Sequence, residues 1–201
     1  MIYLVRHGKI QVKDDQRRYI GQLDVPLTEE GIRQAQNLQK RMERVDFTAI
    51  FCSDLGRSRQ TAEIIVGAKN TPIISQKELR EIDLGEWEGL SFADVVRRFP
   101  AEFKSRGADI GYYRAPGGES FADCSKRVVI ALHEIMKKSR GNILIVGHAG
   151  INRLLLCHVL GMPLTSIFRL VQDYGCLNII QYSSSGYQVK LTNLNLMEPL
   201  S

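Results

Sequence analysis

Short β-rich apolar runs alternate along this chain with stretches of helical periodicity, and this alternation restricts its fold more than any other feature. The runs are Ile2–Val5, Ala49–Cys52, Ile143–Val146 and Leu177–Tyr182, and helix-period segments fill the spaces between the first three. Parallel strands need crossovers long enough to hold a helix, so the order strand, helix, strand favours parallel pairing. The expected fold is therefore α/β: a three-layer α/β/α sandwich with a mostly parallel sheet covered on both faces. Antiparallel pairing is expected at the C-terminal edge, where Leu177–Tyr182 and Gln188–Leu191 flank the Ser183–Ser184–Ser185–Gly186 turn.

The helix signals are local and physical. Thr28 precedes a segment whose apolar positions Ile32, Ala35, Leu38 and Met42 share one face, with Glu29 and Glu30 at its start and Lys40, Arg41 and Arg44 at its end. Ser120 with Asp123 opens another, which runs through Val128, Leu132 and Ile135 and closes at Gly141. A third follows His148 and ends before Gly161–Met162–Pro163. Residues from about 79 to 118 read differently, rich in Gly, Pro, aromatic and charged residues with one short helix after Ser91. That stretch is expected to form a cap within a single domain spanning 1–201.

Composition limits the partners. With 44% hydrophobic and 24% charged residues in 201, the chain resembles an ordinary globular domain. The apolar run Ile2–Val5 is stopped by Arg6 and His7, well short of the roughly 7–15 apolar residues of an export signal. No segment approaches the roughly 18 apolar residues of a membrane span. Cys52, Cys124, Cys157 and Cys176 lack CxxC spacing, so free thiols in a reducing cytoplasm are expected, with no metal or cofactor bound and no membrane partner. The net charge of +5 suits an anionic partner. A nucleic-acid binder would need a basic stripe with interleaved aromatics, and none is apparent.

Ligands of open parallel sheets bind beyond the carboxyl ends of the strands. Here the first strand delivers Arg6–His7–Gly8, the second leads through Ser53–Asp54–Leu55–Gly56 to Arg57, and the third delivers Gly147–His148–Ala149–Gly150. Two histidines and two arginines converge with no neighbouring carboxylates in sequence, an arrangement suited to a phosphoryl group held by guanidinium forks. His133 and His158 have no comparable setting. Arg59 needs only a helix-surface ion pair, and Arg97 and Arg98 read as a solvated helix face.

Six blocks then carry a resemblance: Arg6–His7–Gly8, Pro26–Leu27–Thr28, Ser53 through Ala62, Leu79–Arg80–Glu81–Ile82, Gly85–Glu86–Trp87–Glu88–Gly89 and Gly147–His148–Ala149–Gly150. In this order they resemble the histidine phosphatase, or phosphoglycerate mutase-like, superfamily. The resemblance implies metal-independent phosphomonoester hydrolysis. In it His7 attacks phosphorus and carries the group as phosphohistidine, while Arg6, Arg57 and His148 hold the equatorial oxygens. It places the general acid at Glu81, with Asp83, Glu86 and Glu88 as neighbouring carboxylates, and implies substrate contacts at Lys13 and Gly21.

Two positions depart from the family pattern. Lys9 stands where Glu is usual, and Lys13 falls where an Asn commonly binds phosphate, leaving either a substitute point charge or an exposed lysine. The short cap favours phosphatases over mutases, and Trp87 and Gly85 read as shaping their loop. Gly117–Gly118–Glu119–Ser120–Phe121 and Gln172–Asp173–Tyr174–Gly175–Cys176 resemble α-ribazole-5′-phosphate phosphatases. The alternatives are a broad-specificity phosphatase, a mutase-like phosphotransferase and a silent phosphate-binding module; the last could dispense with His7 or Glu81.

Overall fold

The computed structural model describes residues 1–12, 14 and 16–195. Six strands, β1 (Ile2–Arg6), β2 (Phe47–Cys52), β3 (Ile73–Ser75), β4 (Asn142–Gly147), β5 (Leu177–Ser183) and β6 (Gly186–Leu194), form one sheet in the order β3-β2-β4-β1-β5-β6. The pairs β3–β2, β2–β4 and β4–β1 are parallel, while β1–β5 and β5–β6 are antiparallel. The parallel sheet with an antiparallel C-terminal edge is the arrangement that the strand–helix alternation predicts. Ser183 pairs with Gly186, so the β5–β6 turn has Ser184 and Ser185 at its tip.

Period-two burial divides the core between the two faces of the sheet. On β4, Ile143 and Ile145 join one cluster with Leu132 and Ile135 of α5 (Phe121–Lys138) and Leu154 and Leu155 of α6 (Ala149–Leu160). The intervening Leu144 and Val146 join another with Leu38 of α1 (Glu29–Arg41) and Ala62 and Ile65 of α2 (Gly56–Val66). All four cysteines are buried thiols without disulfides.

Helix ends follow the local chemistry. Thr28 Oγ1 accepts from the Gly31 N–H at 3.0 Å, with Glu29 and Glu30 in the first turn of α1. Ser120 and Asp123 form a reciprocal capping box at α5, and α6 closes on Gly161 at φ +65°. The stretch 79–118 holds two helices where the sequence suggests one: α3 (Phe92–Arg98), capped by Ser91, and α4 (Pro100–Ala108). No residue of α4 is buried, so it lacks the apolar stripe by which a helix is recognised; its start is marked instead by proline in the first turn. The edge strand β3 also escapes the sequence pattern, being three residues long and mostly exposed. Within the same stretch, Leu79, Trp87 and Val95 extend the cluster formed by Ile143 and α5. Trp87 is fully buried, and Gly85 at φ +53° lies tight against Pro116 and Gly118, as expected of residues that shape their loop.

The carboxyl ends of β1, β4 and β2 lie side by side. Arg6 pairs with Gly147 and Cys52 with Val146, which brings the next residues, His7, His148 and Ser53, to one edge. Just beyond β1 the backbone runs so close to α1 that a Cβ on Gly8 would overlap the Gly31 backbone. Gly8→Ala is expected to destabilise the fold by about 1–3 kcal/mol in urea unfolding, the usual cost of overpacking. Gly107→Ala, at a helical position with open space around it, should be neutral or slightly stabilising. Equal stability of the two variants would show that the β1–α1 approach is not rigid.

Candidate active site

His7 is buried at the end of β1, and its Nδ1 lies 2.8 Å from the Gly8 carbonyl oxygen. A carbonyl only accepts, so Nδ1 carries the proton and Nε2 keeps a free lone pair. Burial first, then the charges of Arg57 and Arg6, hold the His7 pKa well below the ordinary imidazole value. The neutral, nucleophilic form is thus the stable one at neutral pH.

Arg57 enters from the first turn of α2 and is 2% exposed. Its guanidinium donates to the carbonyls of Gly21 and Leu23, and its Nε donates to His148 Nδ1 at 3.3 Å. Gly21, expected as a substrate contact, lines the cavity and also holds Arg57 in place through its carbonyl at 2.6 Å. Burial works against the Arg57 charge, and the nearby Glu81 and Asp24 carboxylates support it.

His148 is the N-cap residue of α6 and is completely buried. Since Nδ1 accepts from Arg57, the Nε2 proton points to Ser53 Oγ at 2.6 Å. Its pKa is pushed well below normal by burial, then by Arg57 and His7. The two imidazole rings lie 5.0 Å apart.

Arg6 donates to the Gln172 carbonyl at 2.6 Å and stacks 3.6 Å over the Tyr174 ring. Its buried Nε has no partner among the described residues. An unpaired donor of this kind beside a second guanidinium suits an oxyanion.

Glu81 accepts from the Gly150 N–H at 2.9 Å and the Ile82 N–H at 3.0 Å, which sets its carboxylate at the start of α6, beside His148. A Cβ at Gly150 would overlap that carboxylate, so glycine is what lets it approach. Arg127, paired with Glu119 at 2.7 Å, donates to the backbone carbonyls of Arg80 and Glu81 and fixes the loop. Glu81 lines the same cavity as His7 and Arg57; Asp83, Glu86 and Glu88 do not. Glu88 instead accepts from the Gln22 and Leu84 N–H groups behind it.

The structure therefore brings Arg6, His7, Arg57, Glu81, His148 and Gly21 together, while Lys13 lies outside the described residues. Lys9 pairs with Glu30 at 2.6 Å, Arg59 with Glu63 at 2.9 Å, and Arg97 with Asp94 at 2.7 Å. His133 and His158 face each other on the exposed side of α5 and α6. Sequence reasoning missed Ser53 as the partner of His148, Arg127 as the brace of Glu81, and Tyr174 as the platform of Arg6. Tyr174 carried a signal, lying in the Gln172–Cys176 run, but contact with Arg6 depends on the return of β5 beside β1.

The cavity measures about 350 Å³. Beyond His7 its wall includes Tyr19, Phe92, Phe121 and Phe168, together with Arg153, whose Nε donates to the Leu170 carbonyl at 2.7 Å. Among the described residues no helix is long and apolar enough to cross a membrane.

The strand-end histidine pair, paired guanidiniums and adjoining carboxylate agree with the family assignment: residues 2–195 match the histidine phosphatase superfamily (branch 1), and the chain belongs to it. It is 30% identical to the adenosylcobalamin/alpha-ribazole phosphatase of Escherichia coli K12, over 96% of this chain and 95% of that one. It is 36% identical to the probable phosphoglycerate mutase GpmB of Proteus mirabilis, over 92% of this chain and 86% of that protein. The crystal structure of the alpha-ribazole phosphatase from Shigella flexneri superposes with a TM-score of 0.90 at 29% identity, covering 100% of this chain and 99% of the other.

The depressed histidine pKa values link the site to stability. The unfolded chain takes up protons on these imidazoles below about pH 6.5, whereas the folded chain resists until lower pH, so folding weakens as pH falls through this range. Between pH 7.5 and 5.5 in phosphate-free buffer, thermal unfolding should move to lower temperature, with a slope of at most about 1.4 kcal/mol per pH unit for each histidine. His7→Gln should flatten that dependence. An unchanged slope in the variant would mean that His7 takes up its proton equally in both states.

Proposed function

We propose that the chain, acting as one domain over residues 1–201 with 79–118 as its cap, hydrolyses phosphomonoesters in two displacements through His7. The observation that carries this reading is the neutral His7 imidazole, its Nδ1 held by the Gly8 carbonyl and its ring in the field of the Arg57 and Arg6 guanidiniums. In the first step the Nε2 lone pair forms the N–P bond as the P–O bond to the alcohol breaks, and Glu81 gives its proton to the leaving oxygen. In the second step Glu81, now a carboxylate, takes a proton from water as the water oxygen attacks phosphorus and the N–P bond breaks. Inorganic phosphate leaves and both residues return to their starting forms.

Arg6 and Arg57 hold the equatorial oxygens and supply positive charge as it is needed in the transition state. Burial first, then the Arg57 charge, keeps His148 neutral, and in this arrangement it serves the phosphate by orienting Arg57 through its Nδ1. With protein cations in this role the reaction needs no metal ion.

The names of the relatives, together with the aromatic residues in the cavity wall, favour α-ribazole 5′-phosphate among the substrates. The 36% identity to a mutase relative makes phosphoryl transfer between hydroxyl groups the second reading.

Glu81 provides the test. A ribose alkoxide must be protonated as it leaves, whereas nitrophenolate leaves unaided. In single turnovers with EDTA present throughout, Glu81→Gln should slow phosphoryl transfer from α-ribazole 5′-phosphate by about 10²–10⁴-fold, and far less from p-nitrophenyl phosphate. Equal losses on both substrates would remove Glu81 as the general acid. Loss of wild-type activity in EDTA, restored by a divalent ion, would remove the metal-free reaction.

A further inference from the structure

All five N–H donors of Arg127 are spent on two targets, the main chain around Glu81 and the Glu119 carboxylate. Nη1 donates to the carbonyls of Glu78 at 2.7 Å and Arg80 at 2.9 Å, and Nη2 donates to that of Glu81 at 3.0 Å. The remaining donors meet Glu119 as a fork, from Nε at 2.7 Å and Nη2 at 2.8 Å. Glu119 then reaches past Glu81: its Oε2 accepts from the Asp83 N–H at 3.0 Å, and its own N–H donates to the Asp83 carbonyl at 2.8 Å. The pair thus grips the chain on both sides of Glu81 and ties it to α5. Gln22 Nε2 adds a further bond to the Glu81 carbonyl at 3.1 Å.

Neither Arg127 nor Glu119 lines the cavity, so any effect on the reaction must pass through Glu81. The Glu81 carboxylate is referenced to this same main chain, because one of its oxygens accepts from the adjoining Ile82 N–H. A shift of the backbone at 80–82 therefore carries the carboxylate with it, and a misplacement of about 1 Å can cost roughly 10²-fold in a positioned step. The phosphate-holding groups are mounted independently. The side-chain hydrogen bonds of His7, Arg6 and Arg57 run to Gly8, Gln172, Gly21, Leu23 and His148, none of which lies within 78–83.

We propose that Glu119 and Arg127 are positioning residues for the two proton transfers alone: they set where Glu81 meets the leaving oxygen and the attacking water, and leave phosphate binding and attack by His7 untouched. The inference rests on Glu81 as the general acid, and it assigns the acid's placement to a pair outside the cavity. A planar fork suits the task because it fixes direction as well as charge, which a lysine does not.

Phenyl phosphate and p-nitrophenyl phosphate provide the test, since phenolate is the poorer leaving group and depends more on the acid. In single turnovers Arg127→Met should slow transfer from phenyl phosphate by about 10-fold or more, and from p-nitrophenyl phosphate by less than about 3-fold. With excess p-nitrophenyl phosphate the variant should give a burst of nitrophenolate equal to the enzyme and then turn over slowly, because water activation also needs Glu81. The burst counts the folded enzyme, which separates lost position from lost fold. Glu119→Gln is milder and should show the same selectivity if Arg127→Met does not fold, and Arg127→Lys should recover only part of the loss. In the Glu81→Gln background Arg127→Met should slow phenyl phosphate no further, since the group it places is already gone. Equal losses on both phosphates, or none, in Glu119→Gln and Arg127→Met, or a full additional loss in the Glu81→Gln background, would overturn the positioning role. If Glu81→Gln alone lost equally on both phosphates, the general-acid reading would fail first, and the pair's role with it.

Discussion

Arg57 is the residue on which the site depends. A guanidinium that is 2% exposed needs partners for its donors, and each nitrogen of this one has one, in the carbonyls of Gly21 and Leu23 and the His148 ring. Those bonds tie the segment after β1 to α2 and to the end of β4. They also create the electrostatics of the centre, because the buried Arg57 charge lowers the pKa of both histidines after burial itself. One buried cation therefore positions the elements and, after burial itself, disfavours the charged form of both imidazoles. Removing it would leave two carbonyls and an imidazole nitrogen without their donor, so structure and chemistry cannot be separated at this position.

Much of this was legible in the sequence where signals were local. The strands β1, β2, β4 and β5 appear as apolar runs, and the helices α1, α5 and α6 announce themselves through Thr28, the Ser120–Asp123 pair and Gly161. The carboxyl-end rule for parallel sheets then brings Arg6, His7, Arg57 and His148 to one edge from the sequence alone. Glu81 was singled out only by its family block, since chemistry alone could not rank it against Asp83, Glu86 and Glu88. Its distinguishing contact is the Gly150 N–H, 69 residues away along the chain.

The illegible parts share a physical cause. The strand β3 is too short to show a period, and α4 has no fully buried residue. Ser53, Tyr174 and Arg127 act through partners distant in sequence, so no local pattern marks them. The column of Arg17, Phe92, Tyr19 and Arg106 is also assembled from separate segments, joining the loop after β1 to α3 and α4. Arg17 and Arg106 line the cavity although nothing local in the sequence marks them.

The central claim is that phosphorus passes through His7, and it can be examined in one experiment. The wild-type enzyme is mixed with a ³²P-labelled phosphomonoester, quenched in alkali within milliseconds and digested for peptide mapping. The account predicts a transient acid-labile, alkali-stable phosphoryl group on His7, absent from His7→Ala together with turnover. Near-normal hydrolysis by His7→Ala, with no phosphoenzyme at any quench time, would contradict it.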